Sequence, residues 1–270
     1  MRQDVRRLAA EAGADTVAVA IHDYERGTHD GVDPDSWFHA ASTIKVAVLL
    51  GVFSAVESGT LELRSRVHVR NRFLGAVDGQ PYRIDAERDA NAAVHAAIGK
   101  TMRVSDLAHH MIVTSSNLAT NLLIDIVGID SIRHTLRELG LDGIDLRRGV
   151  EDDAAWRKGL NNRVTADGLC HALRLIEERQ AISENASELM LELLREQRFR
   201  SGIPKGVPDG TAVAHKTGET STVAHDAGIV YPEDRKPYAV VILTEWPPDG
   251  TGRHALIANI SRAVFEHVTA

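Results

Sequence analysis

The sequence has one cysteine, Cys170, so an intramolecular disulfide is excluded. Cys170 sits in an apolar helical stretch and reads as a buried, inert thiol and not as a nucleophile. No uncharged run reaches the roughly 18 residues needed to span a membrane. Residues 1–7 are charged and lead into no hydrophobic segment, so no signal peptide is expected. The chain is then either cytosolic or has lost a leader. There is also no basic excess: a formal charge of -7 and a pI near 6.0 argue against a nucleic-acid partner, and any positive site must be local. Motifs for several chemistries are missing too. No Gly-x-Gly-x-x-Gly occurs, and Gly99-Lys100-Thr101 has Val94 where a phosphate-binding loop needs its first glycine. No His-Glu-x-x-His occurs, and the adjacent His109 and His110 point to different sides of a helix, so neither a metal nor a cofactor is expected. No repeat or low-complexity tract interrupts the chain.

What is present is an ordinary globular composition, 43% apolar and 26% charged over 270 residues, enough for one large domain or two modest ones. Periodicity predicts a helix over residues 4–11 and a strand over 14–21, with a turn at Glu25-Arg26-Gly27. Residues 42–57 form a helix apolar nearly all round, which implies burial inside the protein. Residues 59–100 read as a long irregular surface excursion. Helices follow at 104–114, 117–127 and 131–139, then a Gly-rich acidic loop over 140–163, and helices at 165–178 and 183–196. Strands reappear at 211–217, 226–231 and 238–245, and a last helix covers 254–268. Strands at both ends of the chain predict one mixed α+β unit (α/β class). Its antiparallel sheet (residues 1–40 and 206–270) is flanked by helices, with a mainly helical domain (41–205) beside it and a cleft between the two.

Three strings carry the chemistry. Ser42-Thr43-Ile44-Lys45 opens the apolar helix and puts a hydroxyl and an amine on one face, with Cβ atoms roughly 5–6 Å apart. A serine hydroxyl is a poor nucleophile unless a base takes its proton, and a desolvated lysine can be that base. The helix N-terminus beside Ser42 adds a positive field where an oxyanion would form. Ser115-Ser116-Asn117 lies between two helices, with Ser115 read as the N-cap; Ser115 can relay a proton and Asn117 can hold a substrate amide. Lys216-Thr217-Gly218 ends a strand whose edge can pair with an extended ligand, and its lysine and threonine offer donors to a carboxylate. Each string alone has a plain structural explanation: a helix cap, an interhelical turn, a strand end with a solvated lysine. Ser-x-x-Lys and Lys-Thr-Gly each occur once, and all three strings fall in order on the elements this chemistry requires.

With these strings the chain resembles the serine β-lactamase and penicillin-binding protein superfamily, and class A β-lactamases most of all, over nearly its whole length. The helix Asn117-Leu118-Ala119-Thr120-Asn121-Leu122-Leu123 after the second string fits as well. The resemblance implies a β-lactamase/transpeptidase-like fold and a serine hydrolase working through a Ser42 acyl-enzyme. Lys45 would be the base, Ser115 the proton shuttle and Lys216 the electrostatic anchor, with Asn117, Thr217, Gly218 and Glu219 binding substrate. The N–H groups of Ser42 and Glu219 would form the oxyanion hole. The implied partner is a small β-lactam or acyl-D-alanine-type molecule, taken by a monomer. The family is usually periplasmic or secreted.

Two departures stand out. Ser116 replaces the usual aspartate of the middle motif and carries no charge. The glutamate that activates the deacylating water in Glu-x-x-Leu-Asn is replaced, because the matching string is Arg157-Lys158-Gly159-Leu160-Asn161. The nearest acids are Glu151, Asp152 and Asp153; either Glu151 is re-routed to the water or all three face solvent. A positioned general base is worth about 10²–10⁴ in rate, so without one the ester would persist. Three rival readings follow: a D,D-peptidase or esterase that β-lactams trap, a β-lactam sensor module, and an inactive scaffold. No arginine follows Gly218 on the next strand to hold a substrate carboxylate; His225 lies there and reads as a structural strand-edge histidine.

Overall fold

The computed structural model describes all residues, 1–270. Helix α1 (Arg2–Ala12) ends at Gly13, whose left-handed backbone (φ 76°) returns its N–H to the last carbonyls of the helix. A hairpin of β1 (Thr16–Asp23) and β2 (Thr28–Val32) follows. Ten further α-helices follow, two of them the short Ala92–His95 and Asp153–Arg157; the others are α2 (Lys45–Glu57), α3 (Val104–Val113), α4 (Asn117–Val127), α5 (Ile129–Glu138), α6 (Ala166–Glu177), α7 (Glu184–Arg195), α8 (Ile203–Gly206) and the final α9 (Arg253–Thr269). Between α8 and α9 run β3 (Ala212–Glu219), β4 (Val223–Tyr231) and β5 (Tyr238–Glu245).

These five strands form one antiparallel sheet in the order β3-β4-β5-β1-β2. Its two halves come from opposite ends of the sequence and join where Thr16 faces Glu245 and Asp23 faces Tyr238. Alternation along the strands splits the side chains between two cores. Val17, Val19, Ile21, Val213, Val230, Val240 and Ile242 pack with residues of α1 and α9 on one face. Ala18, Ala20, Ala227, Ile229, Val241 and Leu243 face the other way and join the larger core, which includes residues of α2 to α7. Helix α2 is the centre of that larger core. Every residue from Lys45 to Phe53 is buried, as its apolar circumference predicts. Gly51 lets α5 come close: a Cβ there would stand 2.5 Å from Ile132 Cγ1.

The structure corrects four expectations. Residues 59–100 are not wholly a surface excursion: Val69, Phe73, Ile84 and Val94 are buried in the larger core, and the segment holds paired short strands and the helix Ala92–His95. Residues 140–163 likewise include the strand Ile144–Asp145 and the helix Asp153–Arg157. Isolated apolar residues spaced by loops have no periodicity to reveal them. Ser42 precedes the α-helix, in a 3-10 turn over Ala41–Ile44. Finally, Ser116 and not Ser115 caps α4, its hydroxyl accepting from Ala119 N–H. Ser115 stands outside the helix in a left-handed conformation, φ 58°. Cys170 is buried, and burial pushes its thiol up to about 12. No helix is long and apolar enough to cross a membrane.

Candidate active site

The three strings meet. Lys45 ends the 3-10 turn and begins α2, which carries its side chain into the space between the α3–α4 connection and the sheet edge. Its Nζ lies 3.0 Å from Ser42 Oγ, 3.1 Å from Ser115 Oγ, 2.7 Å from Asn117 Oδ1 and 2.6 Å from the Ser115 carbonyl. Lys216 arrives from β3, the edge strand, and places its Nζ 3.0 Å from the same Ser115 Oγ and 2.8 Å from the Thr217 carbonyl. One hydroxyl is thus shared between two amines. Ser115 reaches this position because its backbone is held at positive φ, where a non-glycine residue is strained. Residues stored in such conformations at a cleft are characteristic of working sites.

Both lysines are fully buried. Burial lowers the Lys45 amine to about 7, and the charges of Asp89 and Glu151 oppose part of that fall. Lys216 is lowered well below its ordinary value by burial and then by the neighbouring Lys45. A neutral lysine keeps a lone pair, so Lys45 can accept a proton from Ser42 or Ser115, which an ammonium cannot do.

Gly218 permits a close approach of backbone to backbone. A Cβ on it would stand 2.9 Å from Thr43 N and 3.0 Å from Ser42 N, so only glycine lets the strand end press against the turn bearing Ser42. Ser42 and Glu219 line one cleft of about 810 Å³ together with Asn117, Glu151, Trp156, Arg148, His39 and Asn161. Glu219 is exposed and interacts with His254 at 3.2 Å and Arg253 at 3.9 Å. Thr217 is half-buried on the same strand.

The three acids of the re-routed loop have separate fates. Glu151 turns into the cleft, its Oε1 accepting from Asn117 Nδ2 at 2.6 Å and its Oε2 from Asp85 N–H at 3.2 Å. Asn117 therefore links Glu151 to Lys45. Asp152 is buried and caps the helix Asp153–Arg157 through Ala155 N–H, while also accepting from Ala76 N–H. Asp153 alone is exposed, and Arg157, at the glutamate's place in the string, is exposed as well.

His225 is not at a strand edge. It lies on β4, between β3 and β5, with Nε2 2.8 Å from the His39 carbonyl and Nδ1 accepting from Thr244 N–H at 3.2 Å. Burial lowers its imidazole to about 4, so it holds strands and loop together as a neutral ring. One arginine does approach the end of β3 from elsewhere: Arg253, at the start of α9, donates to the Thr220 carbonyl at 2.6 Å. Nothing in the local sequence marks Arg253, because only the packing of α9 against the sheet brings it there. Asp89, from the stretch read as irregular, was also missed; its buried carboxylate accepts from Asn117 and Leu118 N–H and from Ser116 Oγ.

Comparison with known proteins gives the family and the fold. The model of the β-lactamase enzyme family matches residues 1–268. A β-lactamase structure from Sphaerobacter thermophilus is similar at 27% identity and a TM-score of 0.83, covering 100% of this chain and 98% of that one. PBP-A is similar at 23% identity and a TM-score of 0.85, covering 99% of this chain and 95% of that one. An ancestral class A β-lactamase is similar at 23% identity and a TM-score of 0.84, covering 98% and 99%; at that identity the likeness shows the fold. The chain belongs to the β-lactamase enzyme family and is a serine-β-lactamase-like hydrolase.

Proposed function

We propose that the protein hydrolyses the amide of a β-lactam through an ester on Ser42. The observation that carries this reading is the Lys45 amine, buried, lowered to about 7 and within 3.0 Å of Ser42 Oγ. Neutral Lys45 takes the Ser42 proton as Oγ attacks the carbonyl carbon. The N–H groups of Ser42 and Glu219 receive the oxyanion. The proton passes from Lys45 through Ser115, 3.1 Å away, to the leaving nitrogen, and the C–N bond breaks. Lys216 stands beside that relay, 3.0 Å from Ser115 Oγ, and its N–H groups, with the Thr217 hydroxyl, orient the substrate carboxylate. Glu151 then acts as general base for the water that cleaves the ester, with Asn117 orienting both the carboxylate and the substrate amide.

A second reading keeps the same acylation but omits fast hydrolysis, as in a penicillin-binding D,D-peptidase. Two features favour it: the exposed Arg157 in the glutamate's place, and the likeness to PBP-A, for which a variant is known as an acyl-enzyme with penicillin G.

Labelling with a fluorescent penicillin followed by mass spectrometry tests the acylation. The adduct is expected on Ser42 and absent from Ser42→Ala; equal label on both proteins would sink the reading. Turnover of a chromogenic cephalosporin separates the two versions. Steady hydrolysis that falls about 10²–10⁴-fold in Glu151→Gln supports the lactamase, and a single burst without turnover supports the peptidase.

A further inference from the structure

Asp89 is assigned no step in that reaction, yet its buried carboxylate is where the α4 N-terminus is anchored. Oδ1 accepts from Asn117 N–H at 3.0 Å and Asn91 N–H at 3.3 Å, and Oδ2 accepts from Leu118 N–H at 2.9 Å and Ser116 Oγ at 3.1 Å. His95 Nε2 lies 3.1 Å from the same Oδ2, and the Asp89 side chain has no exposed surface. The first N–H groups of a helix have no partner within it, and they present a partial positive charge that suits an anion. Here that anion comes from a segment nearly thirty residues upstream.

What it anchors is the frame around the reacting groups. The carbonyl and hydroxyl of Ser115 and the amide oxygen of Asn117 are three of the four contacts of Lys45 Nζ. Asp89 grips the residues directly behind them, Ser116 to Leu118. The strained φ of Ser115 persists only where its surroundings over-determine it, and this clamp is such a surrounding. Ser116 itself carries no charge.

We propose that Asp89 is a positioning residue for acylation, holding Ser115 and Asn117 against Lys45 and supplying from outside the motif the negative charge that Ser116 lacks. This inference rests on the Ser42 acylation proposed above. The charged groups facing Lys45 are Asp89, Glu151 and Lys216. Those facing Asp89 are Lys45 and His95, with His110 behind Asn91 at 2.9 Å. Removing the Asp89 charge leaves the Lys45 ammonium less favoured, so its proton is lost at lower pH.

The experiment is the rate of penicillin labelling against pH in three proteins: wild type, Asp89→Asn, and the exchange variant Asp89→Ser with Ser116→Asp. The exchange keeps composition and charge and returns a carboxylate to the same place as the cap of α4, where aspartate is favoured. Asp89→Asn is expected to label about 10-fold or more slowly on its plateau, because a small misplacement of reacting groups can cost about 10²-fold. Its ascending limb is expected to move to lower pH by about half a unit to one unit. The exchange variant is expected to regain the wild-type limb and most of the rate. An Asp89→Asn limb at the wild-type position overturns the proposal, since a merely structural role would slow the reaction without moving its pH dependence. If Asp89→Asn does not fold, the exchange variant decides alone: labelling with the wild-type limb supports the proposal, and an unfolded or unlabelled protein overturns it. A wild type that takes no label removes the acylation reading, and this inference with it, whereas a labelled wild type with an unmoved limb removes only this inference.

Discussion

His215 and Lys216 are neighbours on β3, both fully buried, and they face opposite sides of the sheet. His215 Nδ1 lies 2.8 Å from Asp226 Oδ1, and the second oxygen of Asp226 accepts from Ile203 N–H at 2.8 Å. Lys216, turned toward the cleft, contacts a hydroxyl and a carbonyl and forms no ion pair. The outer face thus treats a buried polar group by pairing it, which ties β3, β4 and α8 together. The inner face leaves two amines without a carboxylate in contact, which costs stability and makes them reactive. The same strand serves as support on one side and as chemistry on the other.

Three substitutions or conditions sharpen that contrast. The largest effect is expected from Lys45→Met on the inner face: penicillin labelling of Ser42 falls about 10²–10⁴-fold, while thermal stability near neutral pH rises because a buried amine is gone. Labelling kinetics and a melting curve on one sample check both halves, and a fall in stability would contradict the view of Lys45 as a costly group. Next comes Asp226→Ala on the outer face, which breaks a buried pair and should cost about 3–5 kcal/mol in denaturant unfolding. Its folded fraction should still label at Ser42. A variant that unfolds no more easily, or folds but fails to label, would erase the distinction between the two faces.

The smallest effect is set by pH. Acylation needs neutral Lys45, whose amine titrates near 7, so labelling should rise about 10-fold from one unit below that value to the plateau above it. The same shift reaches stability. The unfolded chain keeps the lysine proton up to its ordinary 10.5 and the folded chain releases it near 7, so stability should rise with pH across that window. Lys45→Met should remove this part of the pH dependence.

Much of this was legible beforehand, and particular residues show why. The helix at Asn117–Val127 and the strand at Tyr238–Glu245 fall where their patterns predict, because amphipathic and β-branched runs depend on nearest neighbours. The spacing of Ser42 and Lys45 was readable for the same reason, although the turn there is 3-10. Glu151 is the acid the sequence favours among three, without a structural reason to prefer it. Its left-handed backbone, φ 57°, turns it into the cleft while Asp152 caps and Asp153 is exposed, and no local rule separates the three. Ser115 was misread as a cap because serine suits a cap generally, and its positive φ is imposed by its surroundings.

The sequence by itself determined which functional groups exist, in what order, and on which kinds of element: a serine one turn before a lysine, a second hydroxyl beside an amide, a lysine near a strand end. Only the tertiary structure decided how basic those amines are and which carboxylates serve them. Basicity depends on burial and on charges from remote segments, Asp89 and Glu151 among them. Such through-space terms leave no periodic trace along the chain.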